Sequence, residues 1–200
     1  GIMTEENFEI TDETVIENLT LKEKIFENIT ADNVEIINCN LEKVQFINCD
    51  IPKIYIKNST LSECNLSGNT IKQANFKNCN FINCKLSYSD LSGSFITDCT
   101  FKECIMKNLT LDDSSIKSTN FLQSNLSGAY IGNCNLSKTI YNICNLSYAN
   151  FSGTKLKGID FSNSEIDEIT CYLEDLKGAI MNEIQALEFL KIIGIKIKGN

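Results

Sequence analysis

A period of five residues constrains this chain more than any other feature. In Cys79 to Gly93, CNFINCKLSYSDLSG, the residues Phe81, Leu86 and Leu91 fall five apart, and Cys79, Cys84 and Ser89 each precede one of them by two. A helix repeats every 3.6 residues and a strand every 2.0, so neither is a misreading of this pattern. The register extends well beyond the stretch. Counting every fifth residue from Ile16 to Ile166 gives 31 positions, all apolar or aromatic with Ala31 and Tyr141 included. At 42% apolar composition, chance agreement is on the order of 10⁻¹². No insertion or deletion breaks the count.

Two residues ahead of each such centre, from Thr14 to Ser164, 24 of 31 positions are Ala, Cys, Ser, Thr or Val. The exceptions are Leu19, Lys24, Ile29, Ile54, Asn69, Leu109 and Ile159, so the opening turn is the least regular. Between these inward sites lie Asn, Asp, Ser, Thr, Lys and Gly, which are turn formers and outward residues. This is an internal repeat, the pattern to be weighed before any other.

The segments CNLSG, ANFKN, CNFIN, SNLSG, CNLSK and ANFSG resemble the pentapeptide-repeat family, whose motif is roughly A(D/N)LXX, and the resemblance covers about residues 14–170. It implies an all-β solenoid, a right-handed quadrilateral β-helix with four pentapeptides per coil. A twenty-residue coil is checked by the columns it makes: Phe81, Phe101, Phe121, Tyr141 and Phe161 in one, Cys64, Cys84 and Cys104 in another, and Cys79 with Cys99. About eight coils follow, and at ~4.8 Å per stacked strand the rod is roughly 35 to 40 Å long.

Three segments are expected: a lead-in strand or cap at 1–15, the β-helix at 16–171, and a capping and dimerising helix with its tail at 172–200. Phe8 and Ile10 alternate among acids as in a short strand, and Gly1-Ile2 ahead of Met3 reads as a cloning remnant. The end of a stacked rod exposes strand edges and needs covering. NEIQALEFLKIIG (182–194) supplies a helix, with Asn182 as N-cap, Gln185 at N3 and Gly194 at C′. Ala186, Leu187, Leu190 and Ile193 form a stripe for the last coil, and Phe189 and Ile192 are left over for a second copy. Ile195 to Lys198 alternates as a short strand. The dimer surface is therefore expected at Ala186, Leu187, Phe189, Leu190, Ile192 and Ile193.

The chain has no His, no Arg and no Trp. The commonest general base, the commonest metal ligand and the bidentate phosphate clamp are thus absent. Ten cysteines suggest zinc or redox chemistry, yet their spacings of five and twenty are those of the repeat and no C-x₂-C pair occurs. They read as buried reduced thiols, nine at the small inward position and Cys171 at a centre. No catalytic residue, cofactor or metal is expected.

Net charge is −8, which disfavours a nucleic-acid or anionic-membrane surface. Residues 1–50 hold twelve acids against three lysines, so the remaining 150 are nearly balanced. There is no apolar run of membrane-spanning length and no signal peptide, so a cytoplasmic protein is expected.

The long repeat followed by IQALEFLKIIGIKI (184–197) also resembles the Qnr-type and mycobacterial fluoroquinolone-resistance proteins, dimers that protect DNA gyrase and topoisomerase IV. That resemblance implies a homodimer and a gyrase or topoisomerase IV partner. The surface expected to engage it is acidic: Asp12, Glu13, Glu17, Glu23, Glu27, Asp32 and Glu35, by partial DNA mimicry at one end. The rival expectation is a structural or adaptor module using apolar residues at outward positions, Ile82, Leu122, Ile140 and Ile143.

Overall fold

The computed structural model describes residues 9–199. The expectations resting on Gly1-Ile2, Met3, Glu5, Glu6 and Phe8 lie outside those residues. The chain is a parallel β-solenoid closed by one C-terminal helix. Neighbouring strands pair with a uniform offset of twenty residues, as in Ile16 with Ile36, Phe81 with Phe101 and Phe121 with Tyr141. Four pentapeptides therefore complete one coil.

Four columns of large side chains line the interior. The first face carries Ile16, Ile36, Ile56, Phe76, Ile96 and Ile116, and the second Leu21, Leu41, Leu61, Phe81, Phe101, Phe121, Tyr141 and Phe161. Strands stack seven deep on each of these two faces. The third face has paired strands only at Ile25–Glu27 and Gln45–Ile47, and then single bridges. The fourth has single bridges throughout, and the twenty-residue offset persists to Asp160 with Ile180.

The corners explain why the period is five. Every fifth residue from Glu13 to Gly158 has a positive φ, 30 in succession, and 25 of them are not glycine. A left-handed residue costs an L-amino acid about 1–2 kcal/mol. Asparagine bears it best and fills ten of these corners, in places laddered: Asn48 Nδ2 donates to Asn28 Oδ1 at 2.8 Å and Asn78 Nδ2 to Asn58 Oδ1 at 2.8 Å. The corner N–H is also used, as Asn18 donates to the Ile37 carbonyl at 3.0 Å in the next coil. At Gly128 a side chain is excluded, because a Cβ would lie 2.0 Å from Asn108 Oδ1.

Small inward residues satisfy the backbone of the coils on either side. Cys104 Sγ donates to the Phe81 carbonyl at 3.3 Å, and Ser124 Oγ to that of Phe101 at 3.2 Å while accepting from Cys104 N–H at 3.1 Å. Buried Ser, Thr and Cys are thus tolerated because their polar atoms are bonded. The Asn-Leu-Ser segments have a similarly local reason: Asn125 Oδ1 accepts from Ser127 N–H at 3.0 Å and Asn145 Oδ1 from Ser147 N–H at 2.9 Å, which are Asx turns.

Both ends depart from expectation. Residues 9–14 form no strand; Thr14 N–H donates to the Thr11 carbonyl, and the Thr14 hydroxyl accepts from Thr11 N–H, closing a turn ahead of the first strand, Val15–Glu17. The C-terminal helix α1 (Glu183–Ile192) carries the reciprocal cap of Asn182 and Gln185, each bond 2.9 Å, and Gly194 follows it at φ +88°. Its packing differs from the simple stripe. Phe189 packs on the core and Gln185 Nε2 donates to the carbonyls of Phe161 and Ser164, whereas Ala186, Leu187 and Ile193 are exposed. The last coil offers α1 free carbonyls as well as apolar surface, and a glutamine answers both. Residues 195–199 form no strand.

The ladder has one break before the C-terminal end. The residue ahead of each core position donates to the carbonyl twenty-one residues earlier, as Asn135 does to Ser114 at 3.0 Å and Asn150 to Ala129 at 2.9 Å. Among the described residues Lys155 and Asp160 make no such bond, although Glu165 resumes it with Cys144 at 2.9 Å. The Tyr141 and Phe161 rings there are 6.4 Å apart, against 4.5 to 5.1 Å down the column from Phe81 to Tyr141. Leu136, at the same level, is only half-buried.

Tyr141 carries a further cost. Its hydroxyl is buried without a hydrogen-bond partner, and desolvation holds its pKa well above the phenol range. An unsatisfied buried group costs about 1–3 kcal/mol. Tyr141→Phe keeps the ring column and removes that group, so it is expected to raise stability by about 1–3 kcal/mol in urea unfolding. A lower urea midpoint for the variant would show that the hydroxyl is bonded.

Candidate partner-binding surfaces

The seven expected acids are spread around the first coil and the start of the second. Asp12, Glu13 and Asp32 stand at the corner where the fourth face meets the first, Glu17 and Glu35 lie on the first face, Glu23 is at the corner after the second, and Glu27 is on the third. Five are exposed, and Asp32 and Glu35 are half-buried. Asp12 Oδ1 accepts from Asp32 N–H at 2.8 Å, linking two coils. No single flat contact touches all seven; an end-on contact reaches most of them.

Leu122 is in register with Asn142, which lies between Ile140 and Ile143 in the chain, and Ile82 stands two coils from Leu122. Ile82 and Leu122 are half-buried and Lys102 stands between them in register. Ile140 and Ile143 are exposed and bracket Tyr141 in the chain. Ile143 occupies a corner with φ 54°, a conformation that β-branched residues seldom adopt.

At the C-terminal end the exposed apolar residues include Ile184, Leu187, Ile192 and Ile193 of the α1 region, with Tyr172, Leu173 and Ile180 of the last coil. Of the expected dimer residues, Ala186, Leu187, Ile192 and Ile193 face solvent, and Phe189 and Leu190 are half-buried. A groove between α1 and the rod is lined by Tyr148, Ile166, Gln185, Phe189 and Ile192.

All ten cysteines are free thiols, nine buried and Cys171 half-buried. Burial pushes Cys39, Cys49 and Cys144 upward, and Cys134 to about 11. Among the described residues no three Cys, Asp or Glu side chains converge on a common point, and no helix is long and apolar enough to cross a membrane.

Family models for pentapeptide repeats in eight copies match residues 39–78 and 59–98, and a model for a pentapeptide repeat region matches 94–171. The chain belongs to the pentapeptide-repeat family. Together the matches cover 39–171 and leave the acidic first coil and α1 outside. Among solved pentapeptide-repeat structures, full-length QnrB1, a plasmid-mediated fluoroquinolone-resistance protein, is 17% identical, with 90% of this chain and 100% of that one covered at a TM-score of 0.44. HetL, involved in heterocyst differentiation regulation in the cyanobacterium Nostoc, is 16% identical over 84% of this chain and 91% of its own, with a TM-score of 0.33. A thylakoid-lumen pentapeptide-repeat protein of Arabidopsis thaliana is 15% identical over 87% and 76%, at 0.32. No curated protein sequence matches the chain.

Periodicity alone did not reveal several surface features of this pentapeptide-repeat rod. Tyr88 and Tyr148 are exposed in left-handed corners of one column, three coils apart, and Phe95 is exposed on the first face. The outward positions share the twenty-residue step of the inward ones, so the same step in the sequence aligns such columns.

Proposed function

We propose that this protein is a non-catalytic, cytoplasmic binding protein that engages DNA gyrase or topoisomerase IV end-on through the carboxylates around its first coil, and so shields the enzyme from quinolones. The observation that carries the reading is that ring of carboxylates: Asp12, Glu13, Glu17, Glu23 and Glu27 are exposed on successive sides of one coil. A ring of negative charge at a rod end presents to a DNA-binding surface what a duplex end presents, while the near-neutral remainder disfavours mimicry along the whole length. The uninterrupted repeat and the helix containing IQALEFLK support the same reading. Purified gyrase tests it in a supercoiling assay with and without ciprofloxacin: the protein should inhibit or rescue at micromolar concentration, and Glu17→Gln/Glu23→Gln/Glu27→Gln should weaken the effect about tenfold or more. Neither inhibition nor rescue would refute it.

The exposed apolar side chains around α1 are proposed to pair two copies. Leu187→Asp should give a monomer by light scattering with thermal stability retained. Phe189→Asp, whose ring packs on the core, should lower stability as well. A wild-type monomer at tens of micromolar refutes the pairing.

A second reading, an adaptor module, is favoured by Ile143, since an exposed β-branched residue in a left-handed corner is the kind of strain that clusters at functional sites, with the exposed Ile140 three residues before it. Capture of a partner that is lost in Ile140→Lys/Ile143→Lys, with gyrase unaffected, would select it.

A further inference from the structure

Charge resolved by face tells a different story from net charge. On the first face from Tyr55 onward, the outward residues include Lys57, Lys77, Lys117, Lys138, Lys155, Lys157 and Lys177, against two acids, Asp98 and Asp175. Lys57 aligns with Lys77, and Lys77, Thr97 and Lys117 continue in register, so the lysines form a column along the rod axis. From Lys57 to Lys177 is six coils, or about 29 Å.

These lysines are also uncompensated. The ion pairs of the rod, Lys22 with Glu42, Lys43 with Glu63 and Lys72 with Asp90, lie on other faces. Among the described residues none of the seven is in an ion pair, in a chain where acids outnumber lysines 26 to 18. Like charges directly opposite on neighbouring strands destabilise a sheet, yet Lys57 and Lys77 are held so. Beside this column runs a second, two residues back along each strand, in which Tyr55, Asn75 and Phe95 are in register. Phe95 is 59% exposed. The two columns are about 6.6 Å apart.

We infer that the first face binds a single strand of nucleic acid, its phosphates along the lysine column and its bases against Tyr55 and Phe95. A column one lysine wide fits one backbone rather than a duplex or a planar membrane. The exposed Phe95 and the half-buried Tyr55 beside it suit bases, which stack on any π-face, whereas an acidic peptide has no use for them. Phosphate contacts and stacking carry little sequence information, so binding is expected to depend weakly on sequence. Glu17, at the foot of the lysine column, is two coils below Lys57, about 10 Å or one Debye length away in 0.1 M salt, and the half-buried Glu35 lies one coil below Tyr55, in register with it. This inference is independent of the gyrase reading.

The test is fluorescence anisotropy of the full chain with a labelled oligothymidylate of about twelve nucleotides. A dissociation constant on the order of 10⁻⁴–10⁻⁶ M is expected, and with about five phosphates engaged log K should fall with log salt at a slope of about −3.5. Lys77→Gln/Lys117→Gln should weaken binding tenfold or more and flatten the slope by about 1.4. Phe95→Ser should weaken it about fivefold or more with the slope unchanged. Lys22→Gln/Lys43→Gln, on the second face and the corner after it, should stay within about twofold. Circular dichroism confirms that each variant is folded. No binding in low salt, equal loss in the Lys22/Lys43 pair, or preference for polyglutamate or anionic vesicles over the oligonucleotide would overturn the inference.

Discussion

Phe101→Ala should remove about 3–5 kcal/mol of stability, the cost of emptying a buried aromatic site. Phe101 is 1% exposed and stacks between Phe81, with ring centroids 4.5 Å apart and planes at 7°, and Phe121, at 5.0 Å and 8°. Such contacts are worth about 0.5–1.5 kcal/mol each beyond their buried area. Because a solenoid holds together through nearest neighbours, the void lies in the middle of the rod and weakens both interfaces of one coil. A domain's whole stability is about 5–15 kcal/mol, so the variant should unfold at a much lower urea concentration. Phe95→Ala, on the outside, serves as the control and should change stability by no more than about 0.5 kcal/mol. A loss below about 1 kcal/mol for Phe101→Ala would mean that the column is not a packed core.

Stability should also fall steeply in alkali. Burial raises the Cys39, Cys49 and Cys144 thiols above their ordinary 9.0, and Cys134 to about 11. A raised thiol keeps its proton in the folded state after the unfolded chain has lost its own. Its contribution is therefore complete below pH 9 and disappears as pH rises toward the folded value. Each pH unit in that window costs about 1.4 kcal/mol per thiol, so Cys134 alone accounts for roughly 2–3 kcal/mol between pH 9 and 11. The other raised thiols act in the same direction. Urea unfolding at pH 7.5 and 10.5 measures the effect, and Cys134→Ala should flatten the alkaline limb by about one proton. A pH-independent midpoint over that range would refute the account.

The sequence carried the fold in unusual detail, because each inward residue is specified twice, by the period of five and by the column of twenty. The stacking of Phe81, Phe101, Phe121 and Tyr141 was legible for that reason. The helix cap was legible through Asn182, Gln185 and Gly194. What α1 rests on was not, because Gln185 binds carbonyls of the last coil that no periodicity reveals, and Phe189 turns inward against the simple stripe. The break beneath Lys155 and Asp160 was invisible as well, since TKLKG and IDFSN fit the repeat as well as their neighbours do. That the acidic residues belong to one end is legible in the sequence, but their distribution around the coil depends on where the left-handed corners fall.

The unbroken succession of left-handed corners gives every outer residue an address, which is its number counted modulo twenty. Deleting one residue would turn all later core side chains outward and should be ruinous. Inserting five would be nearly silent inside, since each column accepts the large residues of the next. Outside, it would rotate everything beyond it by a quarter turn. Placed between Lys77 and Lys117, such an insertion would leave the core filled and carry half of the lysine column round to the adjacent side. The interior and the outer surface can therefore change separately, and the arithmetic of the chain rather than its packing decides which residues share a side.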